Sequence, residues 1–161
     1  MSLSRYTDVL HIIAERLGLQ MLRQVASRPG VNEALRVTIH YPDGSLPDSV
    51  ATLERGVGAA CRLSVMYDRY DDRGEPYQYE FKIPLERYHK LLTALRLSRF
   101  ESLDDAFDAP PAGVDAWLVE RAAGSYFHDV VLSPTNATGH HREVALALKT
   151  HLPESMRALA V

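Results

Sequence analysis

The chain has 161 residues, 46% apolar and 24% charged, with a formal net charge of -3. Such a chain reads as a single domain over 1–161, large enough to bury a core without covalent staples. Its negative balance lacks the concentrated basic surface that nucleic-acid binding needs.

Cys61 is the only cysteine, so no intramolecular disulfide can form. A lone thiol fits a reducing compartment. No apolar run approaches the roughly 20 residues of a membrane span. "RYTDVLHIIAERLGLQ" carries charges throughout and lacks a signal-peptide core. The expectation is a cytoplasmic protein with no membrane and no nucleic-acid partner. Only Lys82, Lys90 and Lys149 interrupt a basic set otherwise made of arginine, and Ala and Leu are abundant. That bias fits a GC-rich, bacterial genome.

In chain order, residues 5–27 read as one helix. Val9, Ile12, Ile13, Leu17 and Met21 recur at helical spacing. Gly18 is its weak point, and "RPG" at 28–30 ends it. "ALRVTIHY" at 34–41 alternates, with Leu35, Val37, Ile39 and Tyr41 on one side and Arg36, Thr38 and His40 on the other. This predicts a half-buried strand. "PDGSLPD" at 42–48 is turn chemistry. "DSVATLERG" at 48–56 reads as two helical turns, capped by Asp48 and stopped by Gly56.

Two strands follow. "CRLSVMY" places Cys61, Leu63, Val65 and Tyr67 on one face, and "YQYEFKI" does the same with Tyr77, Tyr79, Phe81 and Ile83. The link "DDRGEP" predicts a hairpin. Pro84 suits a helix start, and Leu85, Tyr88, Leu91, Leu92 and Leu95 form one stripe. Residues 101–115 make an acidic, Pro-rich loop, long for a connection inside a domain. A second hairpin, 116–121 and 125–133, turns at "AAGS". A last helix runs from Thr138 to His151. The expected fold class is α+β. It has an antiparallel sheet of about five strands, two hairpins plus one strand, with three or four helices packed mainly on one face.

Site chemistry is mostly excluded. His140 and Glu143 are three apart, but no second histidine follows at four, and His151 lies about 15 Å further along the helix. No metal site is expected. Cys61 shares its face with Leu63 and Val65, and no nearby cation on that face activates it. "GVGAAC" at 56–61 leads into a strand, and no Gly-Lys-Ser/Thr or G-x-S-x-G occurs. No cofactor and no catalytic residue are therefore assigned. Asp68, Asp71, Asp72 and Glu75 cluster at a hairpin tip, out of phase for a calcium loop and too wet for acid–base chemistry.

Two readings remain. One is a non-enzymatic protein that acts through a protein partner or by self-association, using Arg69, Tyr70, Asp71, Asp72 and Arg73, since Tyr and Arg favour interfaces. The other is a small-molecule binder or an enzyme with a site between the sheet face and the 101–115 loop. Its candidates are Trp117, Glu120 and His128, with Glu120 reaching His128 from the paired strand.

Overall fold

Period-two alternation builds the sheet, and two layers of helix cover it. The computed structural model describes residues 5–109 and 111–159, so Pro110 of the acidic loop lies outside the described residues. Among these the chain runs α1 (Tyr6–Arg16), α2 (Leu22–Ala26), β1 (Glu33–His40), β2 (Ser49–Arg55), β3 (Ala60–Tyr70), β4 (Pro76–Pro84), α3 (Leu85–Leu97), β5 (Ala116–Ala123), β6 (Tyr126–Leu132) and α4 (Gly139–His151). The strands form one antiparallel sheet in the order β4-β3-β2-β1-β5-β6. The α+β class is as expected, but the sheet has six strands.

The added strand is β2, where two helical turns were expected. Its residues alternate as Val50, Thr52 and Glu54 against Ala51 and Leu53. Pairing with β1 sets Leu53 opposite Leu35 and Ala51 opposite Val37. Pairing with β3 sets Leu53 opposite Leu63. Asp48 caps no helix. Its carboxylate accepts from His40 Nδ1 and from the Tyr41 backbone N–H, both at 3.0 Å, and so pins the β1–β2 connection. Tertiary pairing here overrides a local helix signal.

The first face of the sheet carries the larger core. Leu35, Val37, Leu63, Val65, Trp117 and Val119 pack beneath Tyr88, Leu91 and Leu95 of α3 and Val144 and Leu148 of α4. Tyr67 is buried there, with Tyr77, Tyr79 and Phe81 packed against the cluster, as the alternation predicts. Cys61 is buried in the same layer, and burial pushes its thiol pKa up.

The second face corrects the expectation of helices mainly on one side. α1 and α2 cover it, so Ala34, Arg36 and Thr38 of β1 are as buried as their neighbours. The long N-terminal helix is also two helices. Gly18 takes φ +71 and closes α1 in a Schellman turn. The Leu19 N–H donates to the Ala14 carbonyl at 3.0 Å, and the Gly18 N–H donates to that of Glu15 at 2.9 Å. The buried stripe is Leu10, Ile13, Ala14 and Leu17. Val9 and Ile12 are each 49% exposed and Met21 is 64% exposed, so those three leave the expected stripe.

A Cβ added at Gly18 meets nothing within 4 Å, so its cost is conformational. Gly18→Ala is expected to lower stability by about 1–2 kcal/mol, read as a shift in the urea midpoint at unchanged slope. No helix among the described residues is long and apolar enough to cross a membrane.

Candidate functional site

The second face of the sheet is not uniformly apolar. Following the strand register, Glu80, Ser64, Thr52, Arg36, Glu120 and Asp129 form one polar row through all six strands. Under the two helices, apolar residues flank it two positions away. Val50, Leu118 and Val131 cluster with Leu10, Ile13, Ala14 and Leu17 of α1. Ala34 and Ala122 cluster with Leu22, Val25 and Ala26 of α2, with Phe127 packed against them. Each helix therefore covers an apolar row, and the charged row runs between them. The helix break at 17–21 falls there, and its Gln20 carbonyl accepts from Arg36 while His11 of α1 meets Glu120.

The result is a cleft of about 210 Å³ between α1, the 19–21 strap, α2 and the sheet. Its floor holds Arg36 and Glu120, its walls include Ala14, Leu19, Leu22 and Phe127, and His11 stands at one side. Glu120 is 2% exposed and Arg36 3%. They are cross-strand partners on β5 and β1, yet they lean apart. Arg36 donates from Nε to Thr52 Oγ1 at 3.0 Å and from Nη1 to the Gln20 carbonyl at 2.8 Å, both neutral oxygens. Glu120 Oε1 accepts from His11 Nε2 at 3.0 Å. Glu120 Oε2 is buried without a hydrogen-bond partner. Leaving such an atom unsatisfied costs on the order of 1–3 kcal/mol. Burial pulls the Arg36 pKa down, while the Glu120 charge opposes the shift. The guanidinium stays charged, as arginine does in proteins. At the rim, Arg23 lies 4.5 Å over the Phe127 ring, a cation–π contact.

The hydrogen bond to Glu120 raises the His11 pKa above 6.5, and burial opposes the rise only in part. A folded-state pKa above the unfolded value means the protonated imidazole stabilises the fold. That contribution is complete below about pH 6.5 and disappears as pH rises through the raised folded value. Wild-type protein is therefore expected to lose more stability than His11→Gln across that window. Denaturant midpoints on both sides of it measure the difference, and equal pH profiles would dismiss the linkage.

A second, polar cleft of about 180 Å³ lies on the other side of the strap. It shares Leu19, Gln20 and Arg36 with the first and adds Arg28, Glu54 and Arg62. Arg28 is occupied there. Its Nε donates to Gln20 Oε1 at 2.8 Å and its Nη1 to Glu54 Oε1 at 3.2 Å.

The sequence-expected trio does not converge. Glu120 pairs in register with Asp129, and Arg121 pairs with His128, so Glu120 and His128 lie on opposite faces. The Glu120–His128 contact is thus replaced by Glu120–His11. His128 Nε2 donates to the Leu103 carbonyl at 2.9 Å, and its ring meets Phe100 edge-on. Trp117 is buried in the α3–α4 core, with Lys149 Nζ 6.0 Å from its ring centre. The acidic loop is tied down. Asp105 accepts from Arg5 Nη2 and from the Val131 N–H, and the His141 imidazole donates to the Asp104 carbonyl.

At the hairpin tip, Asp71 is used by the turn itself. Its carboxylate accepts from the backbone N–H groups of Arg73 and Glu75. Tyr70 is 46% exposed, and Arg69, Asp72 and Arg73 are exposed around it. Asp68, at the base, accepts from Tyr70 and pairs with Arg16 of α1 at 3.0 Å. Among the described residues no group of three or more His, Cys, Asp or Glu side chains is arranged to hold a metal ion.

His11 and Arg36 were absent from the sequence-derived candidates. The sequence places Arg36 on the polar side of the β1 alternation with Thr38 and His40 and gives no sign that this side is buried. No family model and no curated protein matches the chain.

Proposed function

We propose that the protein binds a small molecule in the cleft between the α1–α2 layer and the sheet. The carrying observation is Glu120, a carboxylate buried in the cleft floor with one oxygen unpartnered. Buried polar groups are normally satisfied, so a ligand donor that reaches the cleft floor would gain a hydrogen bond here. Apolar walls with a few convergent polar groups are the usual makeup of a ligand site. The cleft is smaller than the ~300–1,000 Å³ of drug-sized pockets, so its ligand is metabolite-sized. The arginine-rich composition supports a GC-rich, bacterial genome as the protein's source.

The test is a fragment library followed by backbone amide shifts. Saturable shifts gathered on residues 11–23, 36 and 120 are the expected result. Hits that scatter, or that gather on another surface, would dismiss the cleft.

A second reading assigns the β3–β4 tip to a protein partner or to self-association. Tyr70, exposed among Arg69, Asp72 and Arg73, favours it. Sedimentation of wild type beside an Arg69→Ala/Tyr70→Ala/Arg73→Ala variant tests it. An assembly that the triple variant no longer forms is expected, and identical profiles would remove the tip from consideration.

A further inference from the structure

We infer that the cleft selects a zwitterion, an α-amino acid with an apolar side chain of about leucine size, whose ammonium group meets Glu120 and whose carboxylate meets Arg36. This rests on the ligand-binding reading above and adds the chemical class.

Three observations lead there. First, the floor carries two buried charges of opposite sign that do not neutralise each other directly. Arg36 spends its hydrogen bonds on the neutral oxygens of Thr52 and Gln20. Glu120 turns towards His11 and leaves Oε2 without a donor. His11 answers Glu120 through Oε1 alone, and Arg36 meets only neutral acceptors, so a ligand that brings one charge of each sign answers Oε2 and the guanidinium at once. A ligand with a single charge compensates one group and leaves the other as it was.

Second, the donor type is set by the empty acceptor. An ionised carboxylate oxygen can only accept, so the ligand group facing Glu120 must carry N–H or O–H. The guanidinium can only donate, so the group facing it must be an acceptor, and carboxylate fits its planar fork. Arg36 and Glu120 are registered partners on adjacent strands, where Cβ atoms sit roughly 4.5–5.5 Å apart. Two opposite charges rising from neighbouring strand positions suit an ammonium and a carboxylate held on one carbon, as in an α-amino acid.

Third, the wall above the floor is mainly apolar, with Glu15, Gln20 and Arg23 as its polar members. Ala14, Leu19, Leu22 and Phe127 surround the space above the floor. A volume of about 210 Å³ equals roughly seven waters at ~30 Å³ each. That suits a branched aliphatic side chain.

The experiment uses the full chain and three probes that differ only in their head groups. These are L-leucine, its decarboxylated analogue isoamylamine and its deaminated analogue isocaproate. Calorimetry gives the affinities, and amide shifts locate the site. The expected result is that leucine binds at the cleft and each single-headed analogue binds at least about ten-fold more weakly, because an analogue missing one group leaves its buried partner unanswered. Glu120→Gln is expected to weaken leucine by about ten-fold or more while leaving isocaproate within about three-fold. Isoamylamine or isocaproate binding as tightly as leucine would overturn the zwitterion assignment. So would leucine failing to move the cleft resonances when other fragments do, and in that case the cleft itself stands as a ligand site. If neither leucine nor any fragment moves them, both readings fall together.

Discussion

Arg36→Met is expected to lower stability by roughly 2–4 kcal/mol. The guanidinium satisfies Thr52 Oγ1 and the Gln20 carbonyl, and Arg36 occupies the strand position paired with Glu120. Removing it leaves those acceptors without a donor and leaves a carboxylate that is 2% exposed with His11 as its one partner. The informative comparison is the double variant Arg36→Met/Glu120→Leu. Replacing both buried charges by apolar groups often restores or exceeds the original stability. The double variant is therefore expected to lose clearly less than the two single losses added together. Denaturant titrations of the four proteins give the coupling directly. Additive losses would mean that Arg36 and Glu120 do not sense one another, which would undercut the electrostatic description of the cleft. A double variant as stable as wild type would show that the charged row does not serve the fold.

Trp117→Ala is expected to be at least as damaging, about 3–5 kcal/mol, the usual range for deleting a large buried aromatic. The indole lies in the core beneath α3 and α4, on the sheet face opposite the cleft. Trp117→Phe keeps most of the packing and is expected to cost about half as much or less. Ligand affinity at the cleft is expected to be unchanged in the Phe variant. A loss of under about 1 kcal/mol in the Ala variant would contradict the packing role.

The first face of the fold was legible because its contrast is strong. Cys61, Leu63, Val65 and Tyr67 alternate with polar residues, and Leu85, Tyr88, Leu91 and Leu95 keep helical spacing, so period alone assigns them. The second face was not. Arg36 and Thr38 read as solvent-facing because alternation reports only that two faces differ. It does not report that the polar one is wet, and here α1 and α2 bury it. β2 was misread because Val50 blurs the contrast between its two faces, while Asp48 and Gly56 resemble a cap and a stop. Only the partners on either side decide its state. The site was illegible for a different reason. His11 and Glu120 are 109 positions apart, and no local spacing encodes a contact made by a helix crossing a sheet. Glu120 itself was picked out, but its face was resolved only by the register of β5 on β6.

α2 spans five residues and holds the sheet through Leu22, Val25 and Ala26, while α3 and α4 each span thirteen and close the larger cluster. Opening free energies within one protein follow the apolar area each segment buries. The α2 amides are therefore the first of the helical amides to exchange with deuterium, well before those of β1 below them. The roof of the cleft is its least anchored wall, and a ligand that fills the cleft would register as slowed exchange in α2.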